Sequence, residues 1–321
     1  MKRRDFIYKT GQTGLALSIL GLASCKNIDT ETTNSKIETT PWGFKLSLAQ
    51  WSFHKALFAG ELDNLDFAAK AKRFGFEGVE YVSKFFNGKV KDMAYLKEMN
   101  SRANAEGQEN VLIMVDGEGA LADIDEKKRL KAIENHYKWV EAAHFLGCHA
   151  IRVNLAGANN YDDGIKAGVD SLTQLSEFAK GSNINVLVEN HGGLSSNGDW
   201  MHKVFSQIKN KNCGTLPDFG NFCIKKGKKD EKGVRPCFED YDKYRGMQQL
   251  LPFAKAVSAK SYDFDADGNE TTIDYLRIMR MVKEIGYTGF VGVEYEGYKF
   301  PEDKGIELTR DLLLKVGEQL A

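Results

Sequence analysis

From residue 45 onward the chain alternates between short apolar runs and longer stretches whose apolar residues recur at helical spacing. The short runs are KLSLAQW (45–51), EGVEYV (77–82), NVLIMVD (110–116), HAIRVNL (149–155), INVLVE (184–189), GTLPD (214–218), AVSAKSY (256–262) and GFVGVEY (289–295). Between them, LDNLDFAAKAKRFG opens on an Asp/Asn cluster and stops at Gly75. EKKRLKAIENHYKWVEAAHFLG closes on Gly147, TIDYLRIMRMVKEIG closes on Gly286, and DKGIELTRDLLLKVGEQL supplies a last helix. Strands that each lead into a helix, eight times between residues 45 and 320, have the count and size of an α/β fold of the (β/α)8 TIM barrel type in one domain. A doubly wound nucleotide-binding sheet would place GxGxxG after the first strand, and that motif is absent there. GTLPD is the weakest strand, because Pro217 has no N–H to donate to a ladder.

One connection is long. FGNFCIKKGKKDEKGVRPCFEDYDKYRG follows Asp218 and delays the seventh strand, and it reads as a solvated loop at the strand-end face, a place where active-site walls are found. Cys223 and Cys237 flank its lysine run, and either a disulfide or two free thiols fits the sequence. The stretch DFDADGNETTID (263–274) has the Asp-x-Asp-x-Asp-Gly spacing of a calcium loop, but it ends in Asp274 rather than Glu and follows a strand. It reads as a turn-rich loop.

The amino terminus has a different pattern. MKRRDFIYK is basic, GLALSILGLA is apolar but short for a membrane span, and Leu-Ala-Ser-Cys follows, ending at Cys25. The Arg-Arg-x-Phe stretch resembles a twin-arginine export signal, and the Leu-Ala-Ser-Cys stretch resembles a lipobox with Cys25 as the lipidated residue. Residues 1–25 are therefore expected to be an export or lipoprotein signal and 26–40 a polar flexible tether, with the barrel over 41–321. That organisation implies a bacterial exported protein, periplasmic or membrane-anchored, whose only membrane contact is the lipid at Cys25. The net charge of -1 offers no basic field for nucleic acid.

In a barrel of this kind, chemistry sits at the carboxyl ends of the strands. Those ends carry Trp51 and His54, Glu80, Asp116, Arg152 and Asn154, Glu189 and His191, Asp218 and Asn221, Lys260, and Glu294 and Glu296. A barrel built only for stability would end its strands in Val, Ile and Leu. Three of these residues, Glu189, Asp218 and Glu294, are carboxylates on strands five, six and eight, and together they would repel one another. A divalent cation resolves that repulsion, with oxygen donors favouring Mn or Mg. Ion pairs with Lys260 or Arg152 are the alternative.

VLVENHGG, LPDFGN, SAKSYDF and GFVGVEYEG, in that order and with LSLAQWSFH and GFEGVEYV before them, resemble the xylose-isomerase-like TIM barrels, the sugar phosphate isomerase/epimerase group. The resemblance implies a single divalent metal held by Glu189, Asp218, Glu294 and a histidine, with Glu189 and Glu294 as the catalytic acid and base. The histidine position is Ser258, so the site uses three carboxylates with a water or His191, or holds metal weakly, or holds none. The implied chemistry is proton transfer beside a carbonyl of a small-molecule sugar, giving isomerisation or epimerisation. An exported enzyme would meet a free or oxidised sugar rather than a phosphorylated one. Trp51, Glu80, Arg152, Asn154, His191 and Lys260 are the expected substrate-binding residues. Two other readings are elimination from a 3-keto-glycoside in the same pocket and a noncatalytic carbohydrate-binding barrel. A nuclease of the same superfamily would need more histidines than the six present and a basic groove.

Overall fold

The computed structural model describes residues 42–229 and 235–321. The expected signal over 1–25, Cys25 and the tether over 26–40 lie outside the described residues. The strands are β1 (Lys45–Ala49), β2 (Gly78–Val82), β3 (Glu109–Met114), β4 (Ala150–Asn154), β5 (Asn185–Glu189), β6 (Cys213–Leu216), β7 (Cys223–Lys226), β8 (Cys237–Asp240), β9 (Val257–Ser261) and β10 (Phe290–Tyr295). The helices are α1 (His54–Ala59), α2 (Phe67–Arg73), α3 (Met93–Ala105), α4 (Glu126–Leu146), α5 (Tyr161–Lys180), α6 (Gly198–Phe205), α7 (Lys243–Leu250), α8 (Tyr275–Glu284) and α9 (Glu302–Gln319).

Eight parallel strands run in the order β6-β5-β4-β3-β2-β1-β10-β9. The circle closes between β6 and β9 through single parallel bridges, Thr215 to Ala254 and Asp218 to Ser258. Pro217 explains why this seam is broken. It ends β6 at Leu216, yet its carbonyl still accepts the Ser258 N–H at 3.0 Å. The seam is thus narrow, and Asp218 sits on it.

Asp and Asn side chains cap six of the nine described helices, α3 to α8; α2 itself has no side-chain cap, and Asp63 of the Asp/Asn cluster ahead of it caps the short 3-10 turn that precedes it. Asp125 accepts from two N–H groups at the start of α4, Asn160 does the same for α5, and Asp274 caps α8. Gly147 ends α4 with φ at 77°, a conformation that favours glycine.

Side chains alternate along each strand between the barrel lumen and the helix layer. In β5, Val186 and Val188 pack outward into the main core, while Leu187 joins a smaller interior cluster with Leu112, Ala150, Leu216 and Ala256. Two residues beyond Leu187 on the same face comes Glu189. The lumen is therefore apolar at its base and charged towards the carboxyl ends of its strands. Gly292 shows how tightly the two zones meet. A Cβ there would lie 2.5 Å from the Glu80 carboxylate, so only glycine leaves that carboxylate room.

The long connection after Asp218 is not simply a loop. It contains an antiparallel hairpin, β7 with β8, joined by a Cys223–Cys237 disulfide. This settles the alternative that the sequence left open. At a sequence separation of 14, the crosslink closes a short ring and stabilises the hairpin by about 3 kcal/mol. The double variant Cys223→Ser/Cys237→Ser should exchange its hairpin amides faster while leaving the melting temperature of the barrel nearly unchanged. Hydrogen exchange read alongside calorimetry tests this, and a large drop in the global transition would refute it.

Candidate functional site

Glu189, Asp218 and Glu294 come together at the carboxyl end of the barrel. One carboxylate oxygen from each lies within 4.8 Å of the others, and all three residues are buried. β5 and β6 deliver the first two from one side of the seam, and β10 delivers the third from the other. Ser258, on β9, lies between them. Its Oγ donates to Asp218 Oδ2 at 2.7 Å, and it lies 3.2 Å from Glu294 Oε2.

Two cations serve this group. Arg152 Nε is 2.9 Å from Glu189 Oε2, and Arg152 Nη1 donates to Asp116 Oδ1, also at 2.9 Å. Lys260 Nζ donates to Glu294 Oε1 and Glu296 Oε2, both at 2.8 Å, and lies 3.9 Å from Asp218 Oδ2. Asn221 donates to Glu189 Oε1 at 3.0 Å, and Trp51 Nε1 donates to Glu296. Arg152 and Glu189 are close, but their approach is off-line. Arg152 Nε and Glu189 Oε2 are both buried with no hydrogen bond, as is Glu80 Oε2.

Six carboxylates thus share two cations, and the proton affinities follow from that imbalance. Burial raises Glu294 to about 8; Lys260 pulls it down, but Glu189, Glu296 and Asp218 push it up. Burial likewise raises Asp218 to about 6, against the pull of Lys260, and Glu80 to about 7, against its hydrogen bond from Ser47. Burial also works against an ionised Glu296, but Lys260 and Trp51 outweigh it and lower this group to about 2. Lys260 bonds Glu294 and Glu296 at the same distance, and it is burial together with Glu189, Glu296 and Asp218 that keeps the proton affinity of Glu294 high. Asp116 is held below its usual value because Arg152 outweighs the cost of burial. Burial alone would strip the Lys260 proton, but Glu294, Glu296 and Asp218 hold it in place.

The expected substrate-binding residues divide by depth. His191 is exposed at the mouth, on a loop that turns through Gly192 and Gly193 at φ values of 89° and 61°. Although the residue as a whole is exposed, its imidazole is held below its usual value, first by loss of hydration around the ring and then by Arg152 and Lys260, against the opposing pull of Glu189. Trp51 is half-buried at the rim, stacked on His54 with 5.0 Å between ring centroids. Asn154 donates to Asp116 at 2.7 Å. Glu80 and Lys260 are each 1% exposed, so they underlie the site and do not line its mouth. Glu80 accepts from Ser47 at 2.6 Å and leans over Gly292. The sequence reading did not single out Asn190. Its amide joins the β5 end to the β6 end, donating to the Asp218 carbonyl at 2.9 Å and accepting the Asp218 N–H at 2.7 Å. The only trace of this in the sequence is its place between Glu189 and His191. The Asp-rich 263–274 loop spends its carboxylates on its own backbone, on Lys299 and on the α8 cap.

The family profile described as Xylose isomerase-like TIM barrel matches residues 68–316. The chain belongs to the xylose isomerase-like TIM barrels. Among solved structures, this barrel is similar to the 3-keto-D-glucoside 4-epimerase of E. coli (TM-score 0.65, 15% identity, covering 85% of this chain and 99% of that one). It is also similar to a xylose isomerase-like TIM barrel protein from Mycobacterium smegmatis in complex with magnesium (TM-score 0.61, 16% identity, covering 87% and 98%). At these identities the likeness is one of fold. A curated relative, the C-glycoside deglycosidase alpha subunit of Arthrobacter globiformis, is 40% identical over 53 residues, 16% of this chain and 15% of its own length.

The donor set of this xylose isomerase-like barrel suits a hard divalent cation. It offers three carboxylates with converging oxygens, and Glu189 Oε2 is buried with no hydrogen bond to spend it on. Glu189, Asp218 and Glu294 would hold the ion, with Ser258 standing beside them. Without metal, Glu80, Asp218 and Glu294 each bind a proton more tightly folded than unfolded. The stability they contribute is full below about pH 4 and is lost as pH rises through about 6 to 8. Glu296 acts in the opposite sense, and its contribution is lost as pH falls towards about 2. Metal-free protein should therefore melt at progressively lower temperature from about pH 5 to about pH 8 and level off above that. Mn2+ or Mg2+ added at the alkaline end should reverse the loss by binding only the folded state. Scanning fluorimetry over that range, with and without chelator, measures both.

Proposed function

We propose that this protein is a sugar isomerase or epimerase that moves a proton on the carbon beside a carbonyl of a free or oxidised sugar. The observation that carries this reading is the convergence of Glu189, Asp218 and Glu294 at the carboxyl end of the barrel, with Arg152 and Asn221 on Glu189 and Lys260 on Glu294. Two carboxylates of the same residue type, one beside Arg152 and the other beside Lys260, suit a reaction that removes a proton and returns one. In this reading Glu189 takes the proton from carbon. The enediolate that forms gathers charge near Lys260 and Arg152. Glu294 then delivers a proton, to the neighbouring carbon for isomerisation or to the opposite face for epimerisation. His191 and Trp51 orient sugar hydroxyls and the ring at the mouth. A divalent cation held by Glu189, Asp218 and Glu294 would act as a Lewis acid on the substrate oxygens. Export through the amino-terminal signal, with anchoring at Cys25, would place this activity where free and oxidised sugars are met.

The local match to a C-glycoside deglycosidase subunit favours a second reading, in which the same carbanion expels a substituent from a 3-keto-glycoside. One experiment tests both. Keto-sugars and 3-keto-glycosides are incubated in deuterated water and followed by NMR. Deuterium at the carbon beside the carbonyl, without loss of the aglycone, supports isomerisation or epimerisation. Release of the aglycone supports elimination. No exchange into any keto-sugar would rule out the proton-transfer reading.

A further inference from the structure

The chemistry above leaves Glu296 without a task. It follows β10, two residues after Glu294, and so shares the lumen face of that residue. Its two oxygens go to unlike partners. Oε1 accepts from the Trp51 indole N–H, and Oε2 accepts from Lys260 Nζ at 2.8 Å. In the ring of strands, β10 lies between β1 and β9. Trp51 follows β1 and Lys260 is on β9, so Glu296 joins three neighbouring strand ends.

Its backbone is held on both sides. The Glu296 N–H donates to the Ser261 carbonyl at 3.0 Å, which prolongs the β9–β10 ladder by a residue. At Gly297 a Cβ would overlap the Tyr262 carbonyl, so only glycine lets the chain pass there. The Gly297 carbonyl also accepts from Lys55 Nζ at 3.2 Å. A carboxylate on so fixed a stem can set the positions of its partners.

Charge balance does not account for this carboxylate. Lys260 already bonds Glu294 at 2.8 Å and has Asp218 3.9 Å away. One more anion adds to a cluster that has more carboxylates than cations. What Glu296 adds is a tie to the aromatic rim. Trp51 stacks on His54 and meets Phe58 edge-on with 6.0 Å between ring centroids, while its carbonyl accepts from His54 Nδ1 at 2.8 Å. Those contacts restrain the backbone and the apolar body of the indole. An indole has one N–H to give, and among the described residues it goes to Glu296. The bond therefore fixes the ring about its polar edge.

We infer that Glu296 is a positioning residue, which holds the Trp51 indole at the rim and the Lys260 ammonium beside Glu294 in one arrangement, so that a sugar ring lying on Trp51 is set in register with the reacting carboxylates. This rests on the reading that the sugar lies against Trp51 and reacts over Glu189 and Glu294. The Glu296 side chain is 30% exposed, so its truncation removes little packing.

Proton–nitrogen NMR of the full chain should show four indole N–H signals, and Trp51→Phe assigns one of them by deleting it. In Glu296→Ala that signal should move upfield and exchange with water at least about tenfold faster, since it has lost a charged acceptor. The other three should stay in place. Affinity is read by calorimetry with methyl β-D-glucoside, which lacks the carbonyl and binds without reacting, with Mg2+ present throughout. Trp51→Phe and Glu296→Ala should each weaken binding about tenfold, the scale of one hydrogen bond to a charged group. In the Trp51→Phe background, Glu296→Ala should cost less than about twofold more, because the two residues act as a unit. Glu296→Ala should also slow deuterium exchange into methyl 3-keto-β-D-glucoside about tenfold at saturation, because Lys260 is released.

An indole signal unmoved by Glu296→Ala, or losses of affinity that multiply in the double variant, would overturn the inference, as would failure of the glucoside to bind the unaltered protein. Deuterium exchange into keto-sugars without that coupling removes the positioning role and leaves the proposed reaction standing. Coupled loss of glucoside binding, but without exchange into any keto-sugar, removes the reaction and leaves Glu296 positioning the ring.

Discussion

Glu189→Gln should lower the rate of proton exchange into a keto-sugar by about a hundred- to ten-thousand-fold, the range spanned by loss of a general base. The substitution keeps the shape of the side chain and its contact with Asn221 Nδ2, which lies 3.0 Å from Oε1. It removes the charge beside Arg152 and one of three candidate metal ligands. Loss of that charge should also lower the proton affinity of Glu294 and Asp218, because Glu189 is among the groups that raise both. The pH profile of any residual exchange should therefore shift towards acid. That shift separates an acid–base role from a merely structural one. Undiminished exchange in the glutamine variant would exclude Glu189 as the base.

Lys260→Met should destabilise the fold by about 3–5 kcal/mol at alkaline pH, because breaking a buried ion pair leaves its partners uncompensated. The lysine is 1% exposed and bonded to both Glu294 and Glu296, with Asp218 3.9 Å away. Its removal strands carboxylates in a space with few other donors. The deficit should shrink as pH falls, since protonation of those carboxylates relieves the repulsion. Denaturant titrations of the variant and parent at about pH 5 and pH 9 measure the difference. A deficit independent of pH would mean that Lys260 contributes packing rather than charge.

The strands could be read from sequence to within a residue or two because each is buried on its outer face and, at its base, on its inner face. A run such as NVLVE admits few other structures. Glu189, Asp218 and Glu294 could be found for the complementary reason. Lumen positions at the ends of such runs have no stabilising use for a carboxylate, so charge there stands out. The hairpin gave no such signal. CIKK and CFED are mostly exposed and lack a buried face, so what holds them is a crosslink rather than an apolar pattern. Two nearby cysteines suggested that crosslink without deciding it. The division of labour among the acids was hidden for another reason. That Lys260 bonds Glu296 as well as Glu294, and that Ser258 lies between Asp218 and Glu294, depends on the β9–β10 register and on distances that no spacing along the chain encodes. Asn190 was hidden because its partners are backbone atoms 28 and 31 residues away.

The narrow seam between β6 and β9 means that the site belongs to neither half of the polypeptide. Glu189, Asp218 and Arg152 precede the hairpin, while Ser258, Lys260 and Glu294 follow it. A chain divided within the hairpin would yield two fragments, each carrying part of a cluster that neither can complete. The amino-terminal fragment would have carboxylates without Lys260, and the carboxyl-terminal fragment would have Lys260 without Asp218. Their mutual need for charge and for strand partners gives the fragments a reason to find each other. Recovery of the Lys260 ion pairs, read as the return of the pH-dependent stability of the intact chain, would then report directly that the ring had closed.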